Sequence, residues 1–337
     1  FIDRDGGEFS WDNYFGFSEL QARLDPLNAT PDPQGGSYIF PLSLYGATAF
    51  YNQTLFDEAG VSYPQDDWTW DQYREAASLL TKDSDGNRPG DSGFDPERIV
   101  AYGANHWNWN YMYLQMARER GSDVFTPDSS ECAMRDQAWI DTFNWIDAAA
   151  NEFYAHPGGA MAPTGDSGGV SFAAGTVAID FGMNWSLASY IRDIEEFEWS
   201  MSAMPSQNGN RIPTAINDGI VIFADSKHQD EAWTFMKFFE SEDVSRDFIL
   251  QEVAPPFKKV CLEEFIPSVA EKNSEALRIS LETGRPMPYD RAFDDWQGMM
   301  DQALGAFIIR ERFDTAEQAC DWAATEIDRI RESVWVS

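Results

Sequence analysis

The residues best equipped for chemistry in this chain are aromatic. Its 337 residues include 13 Trp, 12 Tyr and 24 Phe. Trp107, Trp109 and Tyr111 alternate in HWNWNY, and Trp185 follows a short strand-like run that contains a glycine, AIDFGMN. An indole is a flat apolar face with one polar edge, so it either fills a core or covers an apolar face of something bound. A sugar ring offers such a face through its C–H bonds.

Other chemistry finds little support. GDSGG, residues 165–169, matches the nucleophile loop of chymotrypsin-like proteases. That mechanism needs a histidine base oriented by a buried Asp. None of His106, His156 and His228 sits in the matching His motif, and a Gly/Ser/Pro loop explains the run. A glycosidase needs two carboxylates about 5 to 9.5 Å apart. Among 57 acids, neighbours such as Asp66–Asp67 and Asp294–Asp295 arise without function. There is no P-loop, no GxGxxG after a strand and no HExxH. The three His and three scattered Cys do not suggest zinc, and no cofactor is expected. Asp83, Asp85, Asn87 and Asp91 have the oxygen spacing of a calcium loop. The glycine comes one place early, however, and Phe94 stands where a bidentate Glu belongs.

The formal net charge is -33, with 24 Lys and Arg, of which six are Lys. Such a surface repels nucleic acid and anionic membranes. It also repels itself, and the Debye length of about 3 Å at 1 M salt relieves that. Acids are spread along the whole chain, as in a salt-adapted protein; an ordinary acidic secreted protein is the alternative. The unfolding midpoint should then rise from dilute buffer to molar KCl. An unchanged or lower midpoint would count against salt adaptation. Cys132, Cys261 and Cys320 form no CxxC pair, so one disulfide or none is compatible with the spacing. No apolar run is long enough to span a bilayer.

The elements that position these residues are legible from periodicity and caps. Residues 38–44 and 47–51 read as strands, the first with Pro41 at an edge or bulge. A short helix follows Asn52 and stops at Gly60. Thr69 and Gln72 form a capping box for a helix with Trp70, Tyr73, Ala77 and Leu80 on one face. Further helices are expected over 111–120, 138–154, 227–239 and 315–330, and strands over 199–205 and 216–223. No solenoid-period repeat occurs.

The ordered set YN, LFDEAGV, WTWD, a helix ending LTKD, and FAAGTVAIDFGMNW resembles the extracellular solute-binding proteins of carbohydrate ABC importers, whose best-known members bind maltodextrins. The resemblance covers nearly the whole chain. It implies a two-lobed α/β fold of the type II periplasmic-binding-protein kind, with mixed sheets flanked by helices and a ligand cleft between the lobes. The first lobe would hold 1–46 and 212–255, and the second 47–211 and 256–337. In such proteins the phrase FIDRDG lies after an initial βαβ stretch. The chain is therefore expected to lack an N-terminal segment carrying the export signal, any lipid-anchor cysteine and some ligand contacts.

The resemblance also implies a monomeric, extracytoplasmic protein without catalysis. It would bind a mono- or oligosaccharide and deliver it to the membrane permease subunits of the transporter. Trp185 is the first candidate for a stacking platform, followed by Trp109, Trp107 and Tyr111, then Trp296 near a helix start. Tyr45 occupies a position where the maltodextrin group carries an acidic ligand contact, a departure that argues against maltodextrin. Asn217 and Asp218, at a strand entrance, could serve hydroxyls. Arg291 and His106 are weaker candidates. A carbohydrate-active enzyme and a sensory or scaffold protein of the same fold are the alternatives.

Overall fold

The two strands expected around residues 38–51 are one. In the computed structural model, which describes residues 10–24, 36–105, 109–156, 171–239 and 241–335, β1 runs unbroken over Phe40–Asn52. Its register shifts between Pro41 and Ser43, where proline removes a ladder donor. Tyr45 and Gly46 stay extended because Ile216 and Ala215 pair with them.

The remaining elements follow in order. Before β1 lies α1 (Gly16–Ala22). After it come α2 (Gln53–Ala59), α3 (Trp70–Leu80), β2 (Lys82–Asp83), β3 (Ile99–Ala101), α4 (Asn110–Glu119) and α5 (Gln137–Asn151). Next are β4 (Ile179–Met183), α6 (Leu187–Asp193), β5 (Trp199–Ala203), β6 (Ala215–Ile220), α7 (Gln229–Phe239) and α8 (Glu242–Ile249). Short α9 (Lys258–Val260) and α10 (Ile266–Ser268) flank a π-helical turn, and α11 (Glu275–Thr283), α12 (Phe293–Ile308) and α13 (Ala316–Trp335) follow. The Asn52 cap, the capping box and the left-handed Gly60 (φ 67°) are as expected.

The fold is two-lobed, and β1 changes partners along its length. Phe40–Gly46 pairs with β6, and Ala47–Asn52 runs between β4 and β5; these ladders are antiparallel. Side chains alternate across the sheet. Ala47, Ala49 and Tyr51 join Ile179, Phe181 and Met183 against the helical core of α3, α4, α5, α12 and α13. Phe50 faces the other way, with Trp199, Met201, Phe172 and Leu277. A third, small cluster holds Phe40, Trp233 and Met236, and Phe235 on α7 is exposed.

Several segments meet where β1 changes partners. The Leu44 N–H donates to Ala254 O, Ala47 N–H to Thr214 O, and Ala215 N–H to Arg285 O. Gly284 is required here, since a Cβ on it would lie 2.3 Å from the Ala215 Cβ. Buried Glu119 accepts from Trp70 Nε1, Gln115 Nε2 and the N–H groups of Gln207 and Ile212. One carboxylate thus ties the 207–212 segment to α3 and α4.

Asp301 on α12 accepts from Tyr113 Oη at 2.7 Å and Asn110 Nδ2 at 2.9 Å on α4. Burial raises its pKa to about 7, against these hydrogen bonds, which lower it. The folded value lies above the unfolded one, so the protonated form favours the fold. That contribution is complete below about pH 4 and is lost as pH rises through about 7. Asp301→Asn should flatten the stability profile across this window and raise stability on its alkaline side, as read by urea unfolding. A slope equal to wild type would assign the pH dependence elsewhere.

Candidate functional site

Asn184 builds the turn that presents Trp185. Strand β4 is wholly buried and ends at Met183, and a 3-10 turn over Asn184–Ser186 leads into α6. The Asn184 side chain accepts the Gly46 N–H at 2.7 Å and donates to Leu44 O at 3.1 Å. This pins the turn to β1 where that strand changes partners. The next side chain, Trp185, is 44% exposed, unlike the Trp residues of the core.

Around Trp185 the aromatic residues form a row. Tyr45 meets it edge-on, with ring centroids 5.4 Å apart, and Trp109 lies 5.5 Å away on another side. Trp109 stacks on Tyr111 at 4.7 Å. The Tyr111 and Tyr289 hydroxyls are 3.2 Å apart, and Tyr289 packs on Phe293. Tyr45 comes from the part of β1 that pairs with β6, Trp185 from the turn after β4, and Trp109 and Tyr111 from the start of α4. Tyr289 precedes α12.

The polar groups follow the same row. Tyr45 Oη accepts from Ser43 Oγ at 3.0 Å and donates to Asp218 Oδ2 at 3.1 Å. Burial raises the pKa values of Tyr45, Tyr111 and Tyr289, with Asp218 adding to the rise at Tyr45 and Tyr289. All three phenols therefore keep their protons at physiological pH and remain hydrogen-bond donors. The arrangement offers a flat apolar face with hydroxyls and a carboxylate at its rim.

Tyr45, Trp109, Tyr111, Trp185 and Asp218 are thus brought together, and Trp296 and Asn217 are not. Trp296 is a correction: it is fully buried, donates Nε1–H to Asp290 at 2.8 Å and packs edge-on against Phe125 and Phe293. The start of α12 points it into the core, so its ring offers no surface to a ligand. Asn217 is opposite buried Leu44 in the ladder, and opposed side chains share a face. It therefore lies across the strand from Tyr45, and its backbone bonds Gln21 on α1. Arg291 is exposed and makes no ion pair among the described residues. Trp107, His106 and residues 165–169 lie outside the described residues.

The loop with calcium-like spacing, Asp83 to Asp91, closes on its own donors. Asp83 accepts the N–H groups of Asp85, Asn87 and Asp95 and the side-chain N–H of Asn87. Burial raises its pKa, but these donors outweigh it and leave the carboxyl below its ordinary value. Asp91 accepts the Arg88 N–H. Oxygens that face N–H donors close a turn and do not face a cation. No group of side chains suited to a metal occurs among the described residues. The three cysteines are free and buried.

Sequence reasoning missed Tyr289 and Asn184. Tyr289 sits in PMPYD, a proline-broken stretch without periodicity. For Asn184 the available signal was an amide directly before the indole, at a strand end.

Comparison with known proteins decides the family. The family described as bacterial extracellular solute-binding protein matches residues 10–245. The chain belongs to that family. A binding protein of Brucella abortus strain 2308 is 22% identical over 227 residues, 67% of this chain and 52% of the relative. The chain thus spans about half the length of the relatives it matches. An ABC substrate-binding protein of Listeria monocytogenes, solved with cycloalternan, superposes with a TM-score of 0.78 at 19% identity, over 97% of this chain and 78% of that one. The sugar-binding protein MalE of Xanthomonas citri gives 0.75 at 17% identity, over 97% and 77%. At these identities the structures show a shared fold, and they are binding proteins of the same two-lobed kind.

Proposed function

We propose that this chain is the substrate-binding component of an ABC importer and holds a mono- or oligosaccharide between its lobes. The observation that carries the proposal is the aromatic row from Tyr45 through Trp185 and Trp109 to Tyr289, with the exposed indole at its centre. Family membership and the sugars bound by the structural neighbours support it. In this reading Trp185 covers a sugar C–H face, and Trp109 and Tyr111 buttress it. The hydroxyls of Tyr45 and Tyr289 with the Asp218 carboxylate serve the sugar hydroxyls.

The lobes are 1–46 with 212–255, and 47–211 with 256–337. The crossings near 46, 212 and 255 form the hinge, and ligand contact with both lobes shifts the population toward a closed state. The permease subunits recognise that state. The protein works as an extracytoplasmic monomer, without a cofactor or catalysis, and its acidic surface is adapted to salt.

Tryptophan fluorescence titration across a panel of mono- and oligosaccharides, followed by product analysis, tests the proposal. Saturable change without turnover is expected. Turnover would favour a carbohydrate-active enzyme, and silence across the panel would leave a sensory or scaffold role.

A further inference from the structure

We infer that the site selects its sugar by charge, with Asp218 as the residue that favours amino sugars and rejects anionic ones. The inference rests on the sugar-binding reading above and names the class of sugar that this chain takes.

The argument begins with one hydroxyl. Buried Ser43 donates to Tyr45 Oη, which directs the phenol proton at Asp218 Oδ2. Asp218 is therefore held at the rim of the aromatic row. Its other oxygen, Oδ1, has no hydrogen-bond partner among the described residues, and the residue is exposed. An aimed carboxylate with a free oxygen beside an open indole face is an acceptor awaiting a donor.

The cation that acts on these phenols does not offset it. The charged groups acting on Tyr45, Tyr111 and Tyr289 are Asp218, Asp294, Asp301 and Arg118. Arg118 is already engaged: its Nε lies 2.9 Å from Asp123, and its side chain is only 3% exposed. It also donates to Pro286 O. A uronate or sugar phosphate stacked on Trp185 would meet the Asp218 carboxylate at the rim, and the one cation among these groups is already engaged. An ammonium in the same place would meet the free oxygen of Asp218. Between charges a few ångströms apart near a surface, the resulting preference is on the order of tenfold at low ionic strength, and it shrinks as salt screens it.

The test takes the best-binding hexose from the panel and compares it with its 2-amino-2-deoxy form and its uronic acid, by calorimetry in dilute buffer. The amino sugar should bind about tenfold more tightly than the uronic acid. Asp218→Asn should bring that ratio close to one. Asp243→Asn, which removes one exposed charge from α8, should leave the ratio as in wild type. Equal binding of the two derivatives, or loss of the ratio in both variants, would overturn the inference and leave the sugar-binding reading intact. If no sugar in the panel binds, both fall together.

Discussion

Replacing Trp185 by alanine should cost about 1–3 kcal/mol of sugar binding, by analogy with stacking of other flat rings on aromatic side chains. That corresponds to a loss of roughly five- to over a hundredfold in affinity. The structure gives the reason for placing the largest effect here. Trp185 is both exposed and buttressed, with Tyr45 and Trp109 on two sides fixing the ring before anything binds. A preorganised platform loses little side-chain entropy on binding, so more of the stacking energy appears as affinity. The fold should be unharmed, because the ring is 44% exposed and Asn184 pins the turn to β1 without it. Titration of the variant by calorimetry checks this; an affinity equal to wild type would make Trp185 a surface residue without a role in binding.

The largest effect on stability is expected at Arg331. Its Nε lies 2.8 Å from Asp290 Oδ2, and the two side chains are 3% and 0% exposed. The guanidinium carbon also sits 3.8 Å over the Phe125 ring. The other Asp290 oxygen accepts Trp296 Nε1–H and the Ala292 N–H. Arg331→Met leaves that carboxylate buried without its cation, and such losses cost about 3–5 kcal/mol. Domains are stable by only about 5–15 kcal/mol, so the loss is a large share of the total. Adding Asp290→Asn removes the stranded charge while leaving an oxygen for the indole, so the double variant should be more stable than Arg331→Met alone. Urea unfolding of the four proteins gives the coupling directly. A single variant within about 1 kcal/mol of wild type would show that the pair does not hold α13 to the segment before α12.

These predictions differ in how far the sequence foresaw them. The helices were legible because each carries its own instructions. Thr69 with Gln72 caps α3, Gly60 stops α2, and Trp70, Tyr73, Ala77 and Leu80 fall on one buried face. Trp185 stood out for a local reason as well, an indole at a strand-to-helix turn. Trp296 did not announce its fate, since an indole near a helix start reads alike whether it faces a cleft or the core. Its burial depends on Asp290, Phe125 and Arg331, which are remote in sequence or unmarked by periodicity. Asn217 and Asp218 are neighbours in the chain, yet strand alternation sends them to opposite faces, and the pairing with Leu44 decides which.

By itself, then, the sequence determined the element types, the acidic surface and the resemblance to a solute-binding family, because these follow from nearest neighbours, caps and composition. Tertiary structure alone decided which aromatic residues share one surface and which fill the core. Residues 45, 109, 185 and 289 meet only after β1 has drawn β4 and β6 to its two halves. Contacts over such separations are set by the packing of whole elements, and no local pattern encodes them.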